Sequence, residues 1–174
     1  AVFRAALDEC DALTRSLLPY PLLSVLYPDL QGGAPADALE QMTYAQVALF
    51  SLQYALTQLW QSWGVKPTLV MGHSAGEYAA AAAAGVYSLA DSLKLVLARG
   101  QLFELPAMEG AMVAVFAGAE RVEPLLAPYR SRVAIAGYNG PNNVVISGAL
   151  PEMDGALAAL RGAGADETVI ADLR

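Results

Sequence analysis

A chain of 174 residues, 56% hydrophobic and 16% charged, is long enough to bury a sizeable core and too apolar to be disordered. Its net charge of −7 argues against nucleic acid and anionic membrane surfaces, because phosphates are held by clustered Lys and Arg. The single cysteine, Cys10, excludes an internal disulfide and fits a reducing, cytoplasmic compartment, and no run reaches the roughly 18 apolar residues of a membrane span. Ala1 opens directly onto a helical pattern without a signal-peptide signature, so both ends read as cut points in a longer chain.

In chain order, Val2, Ala6, Leu7, Leu13 and Leu17 recur at helical spacing and predict an amphipathic helix over 1–18. Pro19, Pro21, Pro28 and Gly32-Gly33-Ala34-Pro35 predict an irregular connector with one helical turn inside it. A long helix is expected from Met42 to Trp63, capped by Thr43 and stopped by Gly64. The apolar run Thr68–Met71 then reads as a strand, Glu77–Ala84 as a helix ended by Gly85, and a further helix starts at Ser88 or Asp91 and is stopped by Pro106. After Gly110 the texture changes. Met112–Phe116, Arg132–Ala136, Asn142–Ser147 and Glu167–Ile170 read as strands, with helices over Glu120–Leu126 and Pro151–Leu160 and a Tyr-Asn-Gly-Pro turn at Tyr138–Pro141. That order, βαββαβ, predicts a ferredoxin-like subdomain over 111–174, attached to an α/β body over 1–110.

Gly72-His73-Ser74-Ala75-Gly76 falls between the predicted strand and helix, which is the pattern of a nucleophile elbow and points to an α/β-hydrolase-like body. A serine on a tight strand-to-helix turn projects its hydroxyl away from the backbone, and glycines two positions either side are expected to let the turn close. The backbone N–H of Ala75, next to the serine and at the head of a helix, is suited to a developing oxyanion. A serine hydroxyl needs a base, and the only histidine is the adjacent His73, whose side chain is expected to diverge from Ser74 and to pack or hydrogen-bond under the turn. Either Ser74 is not catalytic or its base lies outside this chain. Taken alone, Arg99 reads as a cation complementing the end of its helix, and Gln46 as a polar residue on a half-buried helix.

Several segments beyond the elbow extend the pattern. Gly72–Tyr78 with Ala84–Leu89, Gln46–Phe50, Ala98-Arg99-Gly100, and Asn139-Gly140-Pro141 with Val144–Gly148 together resemble the acyltransferase domains of modular polyketide synthases and the related malonyl-CoA:acyl-carrier-protein transacylases. The resemblance extends over most of the chain and implies an acyl-serine intermediate on Ser74 and transfer of the acyl group to the phosphopantetheine thiol of an acyl carrier protein. It implies that Arg99 pairs with the free carboxylate of a malonyl-type group, with Gln46 and His73 near the substrate. It implies malonyl-CoA or a related acyl-CoA as substrate, no bound cofactor or metal, and neighbouring domains such as a ketosynthase. Ala75 after the serine and the segment Gln41–Gln46 lean toward malonyl over methylmalonyl, Met42 standing where the malonyl-type signature has Thr. The resemblance also puts the catalytic histidine and the second oxyanion donor outside these residues, so the chain alone is expected to be inactive. The competing readings are a serine hydrolase or thioesterase of the α/β type, in which water resolves the ester, and a non-catalytic fragment.

Overall fold

Residues 1–31, 33–105 and 109–172 are described in the computed structural model, and the chain divides into two units, Ala1–Leu105 and Pro106–Arg174. Helices and one four-stranded sheet make the chain α/β, the class expected.

Every secondary-structure element among the described residues of the first unit is a helix. Helix α1 (Val2–Thr14) is followed by two short helices, α2 (Leu22–Leu26) and α3 (Pro28–Gln31), in the connector where one helical turn was expected, and then by a 3₁₀ turn at Ala38–Glu40. Pro21 stands at the N-cap of α2 and Pro28 opens α3. A proline in the first turn loses no helical hydrogen bond, so residues read as breakers serve here as starters. The connector is tied down by Asp11 of α1, whose buried carboxylate accepts from Leu23 N–H at 3.0 Å and pairs with Arg15.

Helix α4 (Met42–Ser62) runs as expected and ends in Gly64 at φ +86°. Its cap differs from the expectation. Gln41, not Thr43, is the N-cap and makes no side-chain hydrogen bond, while Thr43 lies inside the first turn and bonds to Glu104. One side of α4 buries Tyr44, Val47, Phe50 and Ala55 against α1, α2 and α6 (Leu89–Phe103), joined by Leu22, Leu93 and Val96. A side chain such as Phe50, fully withdrawn from water, contributes about 1.5–3 kcal/mol. On another side of the same helix Leu56, Trp60 and Trp63 stay exposed, with the two indoles edge-to-face at 5.3 Å.

The predicted strand Thr68–Met71 is not one. The segment has no ladder partner, and Leu69 and Met71 are 91% and 94% exposed. An apolar run becomes a strand only where a neighbour takes its hydrogen bonds, and no strand is present among the described residues of Ala1–Leu105. Helix α5 (Gly76–Ala83) follows directly, and α6 starts at the Ser88 cap, whose hydroxyl accepts from Asp91 N–H at 3.1 Å.

The second unit carries β1 (Gly110–Val115), α7 (Ala119–Leu126), β2 (Val133–Gly140), β3 (Asn143–Ala149), α8 (Leu150–Gly162) and β4 (Glu167–Asp172). The strand order is β2-β3-β1-β4 and every pairing is antiparallel. Val113, Val115 and Ile146 from the sheet meet Val122, Leu126, Met153 and Leu160 from α7 and α8 in a closed core. The predicted turn at Tyr138–Pro141 is shorter than expected: Gly140 still pairs with Asn143, leaving Pro141 and Asn142 to turn the hairpin and Asn139 inside β2. Proline lacks the N–H a ladder needs, which puts the reversal there rather than at Asn139.

Candidate active site

The site is built on the reversal between the extended segment ending at Gly72 and helix α5. Ser74 at its apex has φ +53°, the only non-glycine residue with positive φ among the described residues. A left-handed serine carries a steric cost, and such cost concentrates where a side chain must be aimed. The turn is held by Gly76 N–H to His73 O at 3.0 Å and Glu77 N–H to Ser74 O at 3.2 Å. A Cβ on Gly72 would stand 2.3 Å from both Glu77 N and Gly76 C, so only glycine fits. Gly76 is different. A Cβ there meets nothing within 4 Å, so the expectation that both glycines are needed for closure holds for Gly72 alone.

Arg99, from the last turns of α6, reaches the serine. Its Nη2 donates to Ser74 Oγ at 3.0 Å, and its Nη1 donates to Gln46 Oε1 on α4. Three residues separated widely in sequence therefore form one chain of contacts, Gln46–Arg99–Ser74. Gln46 is buried and Arg99 half-buried, while Ser74 is exposed. A buried amide oxygen fixing one edge of a guanidinium leaves its remaining N–H groups aimed in a set direction, which suits bidentate capture of a carboxylate.

Two aromatic residues, not anticipated from sequence, flank the guanidinium. The Phe103 ring centre lies 4.7 Å from Arg99 Cζ and that of Tyr78 5.9 Å. Phe103 follows Arg99 by one helical turn on α6, and Tyr78 follows Ser74 by four residues, so i,i+4 spacing was the available signal.

His73 does not pack under the turn. It is exposed, and its side chain makes no hydrogen bond to Ser74 among the described contacts. Ala75 sits between Ser74 and the first residue of α5. His73, Ser74 and Ala75 border an open groove of about 890 Å³ between α4 and α5, walled by Leu49 and Leu56 on one side and Ala79 and Ala83 on the other. The alanines keep that wall low, leaving room for an elongated apolar or amphipathic group beside the serine.

The acyl transferase domain family matches residues 1–173. The PKS-NRPS hybrid synthetase ATPKS of Aspergillus niger is 44% identical over 155 residues, which is 88% of this chain and 8% of that protein. The acyltransferase domain from module 8 of the salinomycin polyketide synthase superposes with a TM-score of 0.85 at 33% identity, covering 98% of this chain and 40% of that one. A malonyl-transacylase solved in complex with its type II polyketide synthase acyl-carrier protein superposes with a TM-score of 0.81 at 29% identity, over 96% of this chain and 55% of that one. The chain thus spans well under two thirds of the length of each.

Proposed function

This chain belongs to the acyl transferase domain family, and from that premise we propose that it carries the acyl-accepting serine of a malonyl-type acyltransferase. The observation that carries the reading is the Arg99 guanidinium bonded at once to Gln46 Oε1 and Ser74 Oγ. A water-resolved esterase has no need of a cation at that point, whereas an acyl group with a free carboxylate does. The similarity to a transacylase bound to its acyl-carrier protein favours a carrier thiol over water as acceptor.

In the proposed reaction Ser74 Oγ attacks the thioester carbonyl of malonyl-CoA as a base takes its proton. The C–S bond breaks, coenzyme A leaves as the thiol with that proton, and an acyl ester remains on Ser74. The phosphopantetheine thiol of the acyl carrier protein then attacks the ester and restores the hydroxyl. Ala75 N–H is the oxyanion donor, Arg99 holds the malonyl carboxylate, Gln46 orients Arg99, and His73 borders the acyl site. The cycle uses no cofactor on this chain.

His73 is exposed and turned to the groove rim, so the base is assigned to a group outside residues 1–174, and the isolated chain is expected to turn over negligibly. Residues 1–110 are read as part of an α/β-hydrolase-like body and 111–174 as a ferredoxin-like subdomain; the strand order β2-β3-β1-β4 in a βαββαβ sequence supports the second of these. Other synthase domains, among them a ketosynthase, and a cytoplasmic setting complete the proposal. No helix among the described residues is long and apolar enough to cross a membrane.

Intact-mass analysis of the full-length protein with malonyl-CoA tests the reading. Malonyl mass is expected on Ser74, stable without carrier and absent from Ser74→Ala. Rapid loss of the acyl group to water, with no preference for malonyl over acetyl, would instead make the protein a hydrolase.

A further inference from the structure

Helix α4 begins without a cap of its own, and the missing partner comes from another helix. Thr43 N–H donates to Glu104 Oε1 at 2.8 Å and Thr43 Oγ1 donates to Glu104 Oε2 at 2.7 Å. Glu104 is the C-cap residue of α6. One carboxylate therefore uses both oxygens to hold the first turn of α4, where orphan amides and the positive end of the helix favour an anion.

The two helices also approach closely at the same place. A Cβ on Gly100 would stand 2.6 Å from Thr43 Cα, so α6 and α4 touch backbone to backbone there. Within about one turn of this crossing, on the same two helices, Gln46 meets Arg99. Phe103, the neighbour of Glu104, sets its ring 4.7 Å from the guanidinium. The final turn of α6 thus carries a ring against Arg99 and an anchor to the helix that bears Gln46.

We infer that Glu104 is a positioning residue for Arg99: its two bonds to Thr43 fix the register of α6 on α4 and so aim the guanidinium at the acyl carboxylate. The inference rests on the proposed role of Arg99. Close packing at Gly100 sets the spacing of the two helices but not their register along each other, and a two-pronged bond at the helix end resists sliding.

The experiment measures kcat and KM for acylation of Ser74 by malonyl-CoA and by acetyl-CoA in the full-length protein, with Glu104→Ala, Glu104→Gln, Thr43→Val and Arg99→Ala in parallel. Glu104→Ala is expected to raise KM for malonyl-CoA about 10-fold with acetyl-CoA kinetics within about twofold, the scale of a small misplacement of a binding group. Glu104→Gln should restore most of the loss, since its amide oxygen accepts from Thr43 N–H and its amide nitrogen donates to Thr43 Oγ1. Thr43→Val should give a smaller effect of the same sign, and it carries the comparison should Glu104→Ala not fold. Equal loss with both acyl donors, or no loss with either, overturns the inference. If Arg99→Ala abolishes malonyl preference while Glu104→Ala and Thr43→Val leave it intact, this inference alone fails. If Arg99→Ala leaves the preference intact, the carboxylate-anchor reading fails and this inference goes with it.

Discussion

Arg99 Nη2 lies 3.0 Å from Ser74 Oγ, so a cation and a hydroxyl 25 residues apart share one hydrogen bond. Their junction gives the site its chemical direction. Nothing about a serine at a sharp turn selects an acyl group, whereas in the proposed function the guanidinium beside it is what discriminates a carboxylated one from a plain one.

Removing that cation should therefore alter choice more than speed. Arg99→Ala in the full-length protein is expected to lower kcat/KM for malonyl-CoA about 100-fold while leaving acetyl-CoA within about threefold. Arg99→Lys should fall between, because an ammonium keeps the charge but not the planar fork. Steady-state acylation with both donors reads the result, and parallel losses would assign Arg99 a structural role.

The two glycines of the turn should behave oppositely. Gly72→Ala forces a Cβ to within 2.3 Å of backbone atoms that cannot move without opening the turn. A cost of roughly 2–4 kcal/mol, a Tm lower by about 5–12 °C and loss of Ser74 acylation are expected. Gly76→Ala meets open space at the start of a helix and should be neutral or stabilising by about 0.5–1 kcal/mol. Calorimetry of both variants makes the comparison, and similar losses in the two would refute it.

Gly100→Ala probes the α4–α6 crossing. Its Cβ would lie 2.6 Å from Thr43 Cα and 2.8 Å from Met42 O, both backbone. Pushing the helices apart should cost roughly 1–3 kcal/mol and weaken the bond between Gln46 and Arg99. A fall in Tm accompanied by a higher KM for malonyl-CoA is expected; a lower Tm with unaltered KM would show that the site tolerates the shift.

Cys10 gives a pH dependence. Burial in the α1–α4 core raises its thiol pKa from 9.0 to about 11, with Ser51 opposing weakly. The folded state then keeps a proton that the unfolded chain releases. Stability from this group is intact below about pH 9 and falls as pH rises toward about 11. Thermal melts at pH 8 and pH 10.5 should show a larger decrease for the parent protein than for Cys10→Ala. Thiol reagents at pH 8 should modify Cys10 only after unfolding.

The sequence by itself determined most elements, because their signals are local. Apolar residues at helical spacing, Gly64 after α4 and the Ser88 cap of α6 each act within a few residues. So did the elbow: Gly72 and Ser74 announce a turn whose shape depends on its own backbone. Tertiary structure decided what depends on partners. Thr68–Met71 has strand composition but no neighbour to complete its ladder, and Thr43 looked like a cap until Glu104, 61 residues away, supplied the carboxylate. Gln46 and Arg99 could be singled out in the sequence only through family resemblance. Their hydrogen bond, the Phe103 ring against the guanidinium and the contact with Ser74 all come from the packing of α6 on α4. Local spacing encodes where a chain turns and coils. Which side chains converge depends on how two helices cross, and here a glycine without a Cβ sets that crossing.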